Sequence, residues 1–209
     1  MKAKLIRAAS AAVLLGAAAA GAEGVGAPGQ AVLVVVQIPL PAAIAATALP
    51  AAFARAVPEY ERLNGLDYKI FTVSDDGRRF GGIYLWRDRE AAEAWFSPAW
   101  HARVLERYGV PGEVRVFAVE GIADTRPAAD RRRVVLDAPA VATLDFSTPV
   151  SDRTTGLLRR CSIVDANGRR GQMLLWADRA AAVAAGATER QSFSAPVLMP
   201  AVSARGEAR

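Results

Sequence analysis

Short segments in which apolar residues alternate with polar ones, or run without a break, predict strands along this chain. The segment 31–40 reads AVLVVVQIPL, and a run this rich in β-branched residues is typical of a strand buried on both faces. Segments 66–74 and 80–86 flank a turn that contains Gly77, so they predict a hairpin. A fourth strand is predicted at 113–122.

Helical segments separate these strands. The Ala-rich segment 43–57 predicts a helix, and we expect Pro58 to end it because proline lacks a backbone donor and clashes with the preceding turn. Asp88 suits the N-cap of the next helix. Ser97 suits a second N-cap, from which the helix continues to Tyr108. The resulting order β-α-β-β-α-β predicts a ferredoxin-like α+β unit.

The segments 65–95 and 156–185 are two copies of one pattern. When Phe80 is skipped, 14 of the 30 aligned pairs are identical. The matches include three pairs of glycines and the pair Trp86 and Trp176, which are residues that shape turns and cores. Self-similarity at a fixed spacing predicts a duplicated domain.

The second copy is predicted to be degenerate. Its strand at 141–147 is followed by a hairpin at 157–176, a helix from Asp178 and a last strand in FSAPVLMPAV. Only residues 148–155 separate the first strand from the hairpin. The first helix of the motif has no room there, so the second sheet should have less cover.

The N-terminus has the composition of a cleavable signal peptide. A basic start with Lys2, Lys4 and Arg7 precedes a short apolar run and an A-x-A site that ends at Ala22. We therefore expect residues 1–22 to be removed and the protein to be periplasmic or secreted, without a membrane span. Removal lowers the net charge from +5 to +2, because three of the 26 Lys+Arg and none of the 21 Asp+Glu are lost. No continuous basic face remains, so nucleic acid is not an expected partner.

Residue types that bind metals or cofactors are scarce. Cys161 is the single cysteine and lies in an apolar strand pattern, where a buried thiol is expected and no disulfide is possible within the chain. His101 is the single histidine, and no acidic cluster replaces a His/Cys site. The phosphate-binding glycine motifs are absent as well. We expect no metal and no organic cofactor.

The first half of the chain resembles the YdhR-type monooxygenase family of the dimeric α/β-barrel superfamily over about residues 33–123. The residues that carry the resemblance are GL at 65–66, GGIYLW at 81–86, REAA at 89–92 and ERYG at 106–109. The resemblance implies a sheet that faces a second sheet across a barrel, with a small apolar pocket between the first sheet and its helices. In many relatives the second sheet belongs to another chain.

Here the second copy is expected to supply that sheet. The expected fold is α+β: a ferredoxin-like domain at 31–123 and a degenerate repeat at 132–203, packed as an intrachain pseudo-dimeric α/β barrel. A polar segment at 125–133 links them. Because the degenerate half leaves a sheet face uncovered, a second copy of the chain could cover that face in a homodimer.

Aromatic residues are concentrated in the first copy. Twelve of the 15 lie between Phe53 and Phe117, and the second copy lacks the equivalents of several of them. A site is therefore predicted in the first copy, although the same rings would also suit its core. The candidate substrate-binding residues are Trp86, Tyr68, Phe71 and Trp95.

Tyr84 and His101 are the candidate catalytic residues. Side-chain alternation places Tyr84 and Trp86 on one face of the third strand. His101, with Val104 and Leu105, follows a helical stripe that should face the sheet. An imidazole titrates near neutrality and can act as a general base, although a histidine that only bonds a neighbour is the alternative.

The superfamily includes cofactor-independent oxygenases of aromatic polyketides, and the resemblance implies a similar reaction. Trp86 matches their strand tryptophan, whereas Gly82 replaces their asparagine. We expect a small apolar or aromatic ligand that stacks on Trp86, is oriented by Tyr84, and loses a proton to His101 before it reacts with O2. A non-catalytic binding module is the alternative, followed by haem binding through His101.

Overall fold

The computed structural model describes residues 29–125, 135–147, 149–186 and 191–199. The predicted signal peptide and nearly all of the predicted linker lie outside these ranges. The strands are β1 Val32–Pro39, β2 Leu66–Ser74, β3 Arg79–Trp86, β4 Glu113–Asp124, β5 Val135–Asp145, β6 Leu157–Val164, β7 Arg170–Trp176 and β8 Gln191–Leu198. The helices are α1 Leu49–Tyr60, α2 Arg89–Trp95, α3 Pro98–Tyr108 and α4 Arg179–Ala184.

The eight strands close into one antiparallel barrel within a single chain. Their order around the barrel is β1-β3-β2-β8-β5-β7-β6-β4. The first four strands therefore lie in the order β4-β1-β3-β2, and the last four in the order β8-β5-β7-β6. The pairs β2–β8 and β4–β6 join the two halves. Closure pairs both edges of each half, so neither described half-sheet is left with an open edge.

The first half-sheet is apolar on both faces. Leu33 and Ile83 point into the barrel interior, whereas Val34 and Tyr84 point outward toward the helices. This alternation along β1 and β3 follows the two-residue period of a strand. The prediction of a first strand buried on both faces is confirmed, with β1 buried from Val32 onward.

The first helix differs from the prediction at both ends. A 3-10 turn at Ala46–Ala48 precedes α1, which begins at Leu49 and continues through Pro58 to Tyr60. Pro58 lacks the N–H that would bond the carbonyl four residues earlier, so one hydrogen bond is lost, but the helix continues past it. The extra turn is closed by the Glu61 N–H, which donates to the Val57 carbonyl at 3.0 Å. This turn carries Tyr60 over the sheet.

The second and third helices begin where the sequence predicts. The Asp88 carboxylate accepts a hydrogen bond from the Ala91 N–H at 2.8 Å. Asp178 caps α4 in the same way, through the Ala181 N–H at 2.8 Å. Ser97 occupies the N-cap of α3 without a side-chain capping bond. The paired aspartates are thus capping residues, as their chemistry predicts.

The second half-sheet has little cover on its outer face. Residues 149–156 form turns and no helix, as predicted from the short spacing. The outer apolar cluster is small and is built around Trp176 and Leu174 beneath the single short helix α4. The Trp176 Nε1–H donates to the Thr143 hydroxyl at 3.1 Å, which satisfies its buried polar group. The larger outer cluster, and any site it contains, therefore belongs to the first half.

Candidate active site

A cavity of about 840 Å³ lies on the outer side of the first half-sheet, between that sheet and the helices α1 and α3. Its floor comes from β1, β2 and β3, with Phe71 and Tyr84 among the floor residues. Its walls include Tyr60 of α1 and Trp95 of α2. This size and aromatic lining are typical of a pocket for a small organic molecule.

Lys69 of β2 extends into this cavity. The residue is only 2% exposed. Its Nζ atom lies 3.0 Å from the ring centroid of Tyr60, 4.0 Å from that of Phe71 and 4.4 Å from that of Tyr84. Within the described part of the chain, no hydrogen bond or ion pair joins this amine to another residue. A buried lysine without a carboxylate partner is rare, since charged groups are almost never buried unpaired.

Gly82 of β3 provides the space that the lysine occupies. A Cβ atom at this position would lie 3.1 Å from Lys69 Cε, 2.8 Å from the Ile70 carbonyl oxygen and 3.2 Å from Tyr84 Cε2. These separations are tighter than ordinary carbon contacts, so a larger residue would displace the lysine chain or the strand. The absence of a side chain at Gly82 is therefore what admits Lys69 to the floor of the cavity.

Two opposing effects act on the proton of the Lys69 amine. Burial lowers its pKa well below the ordinary value of 10.5, and the carboxylate of Glu59 partly opposes that shift. The ring faces also favour the ammonium form, by about 2 kcal/mol or more for a desolvated contact. Removing an ammonium group from water costs several kcal/mol, and burial is the largest of the causes that act on this pKa. The amine is held toward its neutral form, which is both basic and nucleophilic.

Two tyrosine hydroxyls accompany the amine. The rings of Tyr84 and Tyr60 pack edge-on against each other, with their centroids 5.9 Å apart. Burial raises the pKa of both phenols, that of Tyr84 well above its ordinary value of 10.0. Both hydroxyls therefore keep their protons at neutral pH and can donate hydrogen bonds to a ligand oxygen.

The mouth of the cavity carries balanced charge. Its exposed lining residues include two acids, Glu59 and Glu106, and two bases, Arg103 and Arg107. The Arg103 guanidinium lies 5.9 Å from the centroid of Trp95. Two acids against two bases give no net attraction for an anion or a cation, which favours an uncharged ligand.

The structure brings together three of the predicted site residues. Tyr84, Phe71 and Trp95 all line the cavity. Trp86 lies on the same face but is 1% exposed and is not part of the lining; its ring packs edge-on against Phe96 at 6.0 Å. It is a core residue beside the site.

Tyr68 lies on the opposite face of the sheet, inside the barrel. Residues an odd number of positions apart along a strand face opposite sides, so Tyr68 and Phe71 cannot share one pocket. The guanidinium of Arg159, from the second half, lies 3.9 Å from the Tyr68 ring centroid. Arg159 in turn forms an ion pair with Asp124. Tyr68 thus belongs to the contact between the two halves.

The predicted orientation of α3 is wrong by one residue. The buried stripe is formed by Trp100 and Val104, with Tyr108 partly buried beside them, whereas Leu105 is 52% exposed. His101 is exposed, contacts Trp100 edge-on at 4.9 Å, and does not line the cavity. The two candidate stripes share Val104, and the larger apolar area of the tryptophan decides which of them is buried.

Sequence reasoning missed Lys69 and Tyr60. A signal was present for the lysine: it is the only lysine after Lys4, and it lies in an apolar strand on the same face as Phe71. The aligned residue in the second copy, Arg160, forms an ion pair with Asp152, with Nη2 2.9 Å from Oδ2. Lys69 differs from its counterpart in having no such partner.

The described residues do not assemble a metal site. No three His, Cys, Asp or Glu side chains come together among them. Cys161 is buried in the barrel interior as predicted, and burial raises the pKa of its thiol to about 11. None of the described helices is long and apolar enough to cross a membrane.

The fold and the cavity define a sheet-rich α+β protein: a closed eight-stranded antiparallel barrel with an aromatic pocket under the helices of one half. Residues 34–124, somewhat less than half of the chain, match the family described as "Putative mono-oxygenase ydhR". The resemblance inferred from the sequence is thereby confirmed.

Solved structures share the barrel. A crystal structure described as a "putative monooxygenase" from Fusobacterium nucleatum subsp. nucleatum ATCC 25586 is 11% identical with a TM-score of 0.55, over 82% of this chain and 94% of that chain. One of the same description from Lactobacillus acidophilus NCFM is 10% identical with a TM-score of 0.50, over 83% and 98%. At these identities the likeness shows the fold. No curated protein matches the chain.

Proposed function

We propose that the protein is a cofactor-independent monooxygenase of a small apolar or aromatic molecule, and that Lys69 is its catalytic base. The observation that carries the proposal is the amine of Lys69, buried without a carboxylate partner among the rings of Tyr60, Phe71 and Tyr84 at the floor of a cavity. The match of residues 34–124 to a monooxygenase family supports the reaction type.

In this mechanism the substrate is an aromatic compound with an acidic methylene or phenol. Its body packs against Phe71 and Trp95, and the hydroxyls of Tyr60 and Tyr84 donate to its oxygen. Lys69 removes a proton and leaves an electron-rich anion that reacts with O2. For a methylene, one oxygen atom ends in the new carbonyl and the other leaves as water. The substrate itself supplies the four electrons, so no external reductant is needed.

The test is oxygen consumption with a panel of enolisable aromatic ketones and polycyclic phenols. We expect Lys69→Met to lower kcat by about 10²–10⁴-fold, the usual contribution of a positioned base. His101→Ala should leave turnover unchanged, because that side chain lies outside the cavity. Fluorescence of Trp95 should report that the variant still binds the substrate. Turnover that survives Lys69→Met would remove the lysine from the mechanism.

The second candidate is a non-catalytic binding module for the same ligands. The balanced charge and small number of titratable groups around the cavity favour it. It predicts saturable quenching of Trp95 fluorescence with no oxygen consumption in air. Haem binding is not supported, because the exposed His101 is not directed into the cavity.

We also propose that the barrel arose by internal duplication of a ferredoxin-like unit. Support comes from the two four-strand halves, which have the same strand order: fourth, first, third and second strand of each half. The two pairings that join the halves are also equivalent. In β2–β8 the second strand of the first half pairs with the fourth strand of the second half, and in β4–β6 the fourth strand of the first half pairs with the second strand of the second half. Two identical subunits related by a two-fold axis contact each other in the same reciprocal way.

Export after cleavage at Ala22 remains part of the proposal, supported by the basic start and the A-x-A site. N-terminal sequencing of the protein from a periplasmic extract tests it. A mature chain that begins at Glu23 is the expected result. The sparsely covered outer face around Trp176 would support a homodimer, for which sedimentation at micromolar concentration is the check.

A further inference from the structure

The position of Lys69 suits covalent chemistry as well as proton transfer. Its Nζ lies at the floor of an 840 Å³ cavity, and no carboxylate of the described residues forms an ion pair with it. A desolvated amine in an apolar pocket is a nucleophile toward carbonyl carbon. The neighbouring Tyr60 and Tyr84 add hydroxyl protons at the same place.

We propose that Lys69 forms an imine with aldehydes or ketones that carry an uncharged apolar or aromatic body. This inference rests on the site of the proposed monooxygenase but not on its oxygen chemistry. The balanced charge of the mouth and the aromatic lining favour such a body over a sugar phosphate or a keto acid.

The reaction balances without a further reagent. The Nζ lone pair forms a bond to the carbonyl carbon, and one amine proton passes to the carbonyl oxygen to give a carbinolamine. The C–O bond then breaks, and the oxygen leaves as water with the second amine proton. The hydroxyls of Tyr60 and Tyr84, protonated at neutral pH, donate first to the carbonyl oxygen and then to the departing hydroxyl.

The composition of the chain makes this step readily measurable. The sequence contains three lysines, Lys2, Lys4 and Lys69. Reduction of an imine at Lys69 leaves a secondary amine that trypsin does not cleave. Residues 63–78 would then appear as one peptide, where the unmodified protein gives two. Lys2 and Lys4 serve as internal references for ordinary amines.

The experiment uses the full chain produced in the cytoplasm, so that residues 1–22 with the two reference lysines are retained. This protein is incubated with 2-naphthaldehyde and sodium cyanoborohydride under nitrogen, followed by tryptic peptide mass analysis. At pH 7 we expect the folded protein to be labelled at Lys69 at least tenfold faster than at Lys2 or Lys4. Raising the pH to 8.5 should accelerate Lys69 less than the two reference lysines, because burial lowers the pKa of Lys69. In 6 M guanidinium chloride the three lysines should react alike.

Two variants separate chemistry from access. Tyr84→Phe keeps the ring and removes one proton donor, so we expect labelling of Lys69 to slow several-fold at unchanged tryptophan fluorescence. Arg55→Met removes an exposed cation of α1 that does not line the cavity and should leave the rate unchanged. Equal rates at all three lysines in the folded protein, or a Lys69 that reacts only after unfolding, would overturn the proposal.

The outcome is independent of the monooxygenase test. Rapid labelling with no oxygen consumption for any substrate would support imine formation and count against the monooxygenase. Oxygen consumption that requires Lys69, together with no labelling of Lys69, would leave the lysine as a base only and refute the imine.

Discussion

Replacing Lys69 by methionine should stabilise the protein. The substitution keeps a flexible unbranched chain of similar length above Gly82 and removes only the polar group. Burying a polar group without a hydrogen bond costs about 1–3 kcal/mol in mutational experiments. We therefore expect the free energy of unfolding at pH 7 to rise by at least about 1–3 kcal/mol, because the cost of deprotonating the buried amine at this pH adds to the cost of burying it. A gain in stability from removing a site residue is the usual signature of a functional compromise.

The stability difference should also depend on pH, with a defined sign. The pKa of Lys69 is lower in the folded protein than its ordinary value of 10.5. At a pH between the folded pKa and 10.5, the unfolded chain therefore binds more protons than the folded protein. Wild-type stability then rises with pH, by at most about 1.4 kcal/mol per pH unit. The cost of deprotonating Lys69 is therefore absent above pH 10.5 and grows as the pH falls toward the folded pKa. The advantage of Lys69→Met should therefore shrink as the pH increases.

Urea unfolding followed by tryptophan fluorescence, at intervals from pH 6 to pH 9.5, measures this difference. The upper limit avoids ionisation of Tyr60 and Tyr84, whose raised pKa values reduce stability above pH 10 in both proteins. Arg103→Met is the control, because it removes an exposed cation at the mouth. A stability difference that is constant across the range would show that Lys69 keeps its proton in the folded state. Its roles as base and as nucleophile would then both fail.

Three further predictions concern single side chains. Gly82→Ala should lower the free energy of unfolding by about 1–3 kcal/mol in urea, as overpacking does, and should slow labelling of Lys69. Cys161 should not react with a disulfide reagent at pH 8 until the protein is unfolded, because burial raises the pKa of its thiol to about 11. Asp88→Ala should cost about 1 kcal/mol through loss of the hydrogen bond from the Ala91 N–H, measured as a lower urea midpoint.

The strands and the capped helices could be predicted because their signals are local. The segment 31–40 has no polar side to present to water, and β1 is accordingly buried on both faces. Asp88 and Asp178 mark helix starts through a bond to a backbone N–H three residues later. The first helix was harder, because an Ala-rich segment favours helix along its whole length. Its beginning at Leu49 depends on packing against the sheet.

The site was predicted only in part, because sequence shows which aromatic residues are present but not which face they occupy. From Tyr68 to Phe71 the pairing of β2 with β3 is regular, so Tyr68 faces the barrel interior while Lys69 and Phe71 face the helices. Alternation separates these two faces in the sequence but does not show which of them the helices cover. On α3, His101 and Trp100 compete for the buried stripe, and only the packed structure decides between them.

The contrast between Lys69 and Arg160 explains why one half has a site. The two residues align, and each lies on the second strand of its half. In the second half no described helix replaces α1, so Arg160 is partly exposed and bonds Asp152 as an ordinary ion pair. In the first half α1 covers the strand, excludes water and sets Tyr60 over the amine. The covering helix thus turns a position that carries a solvated cation in one half into a desolvated amine in the other.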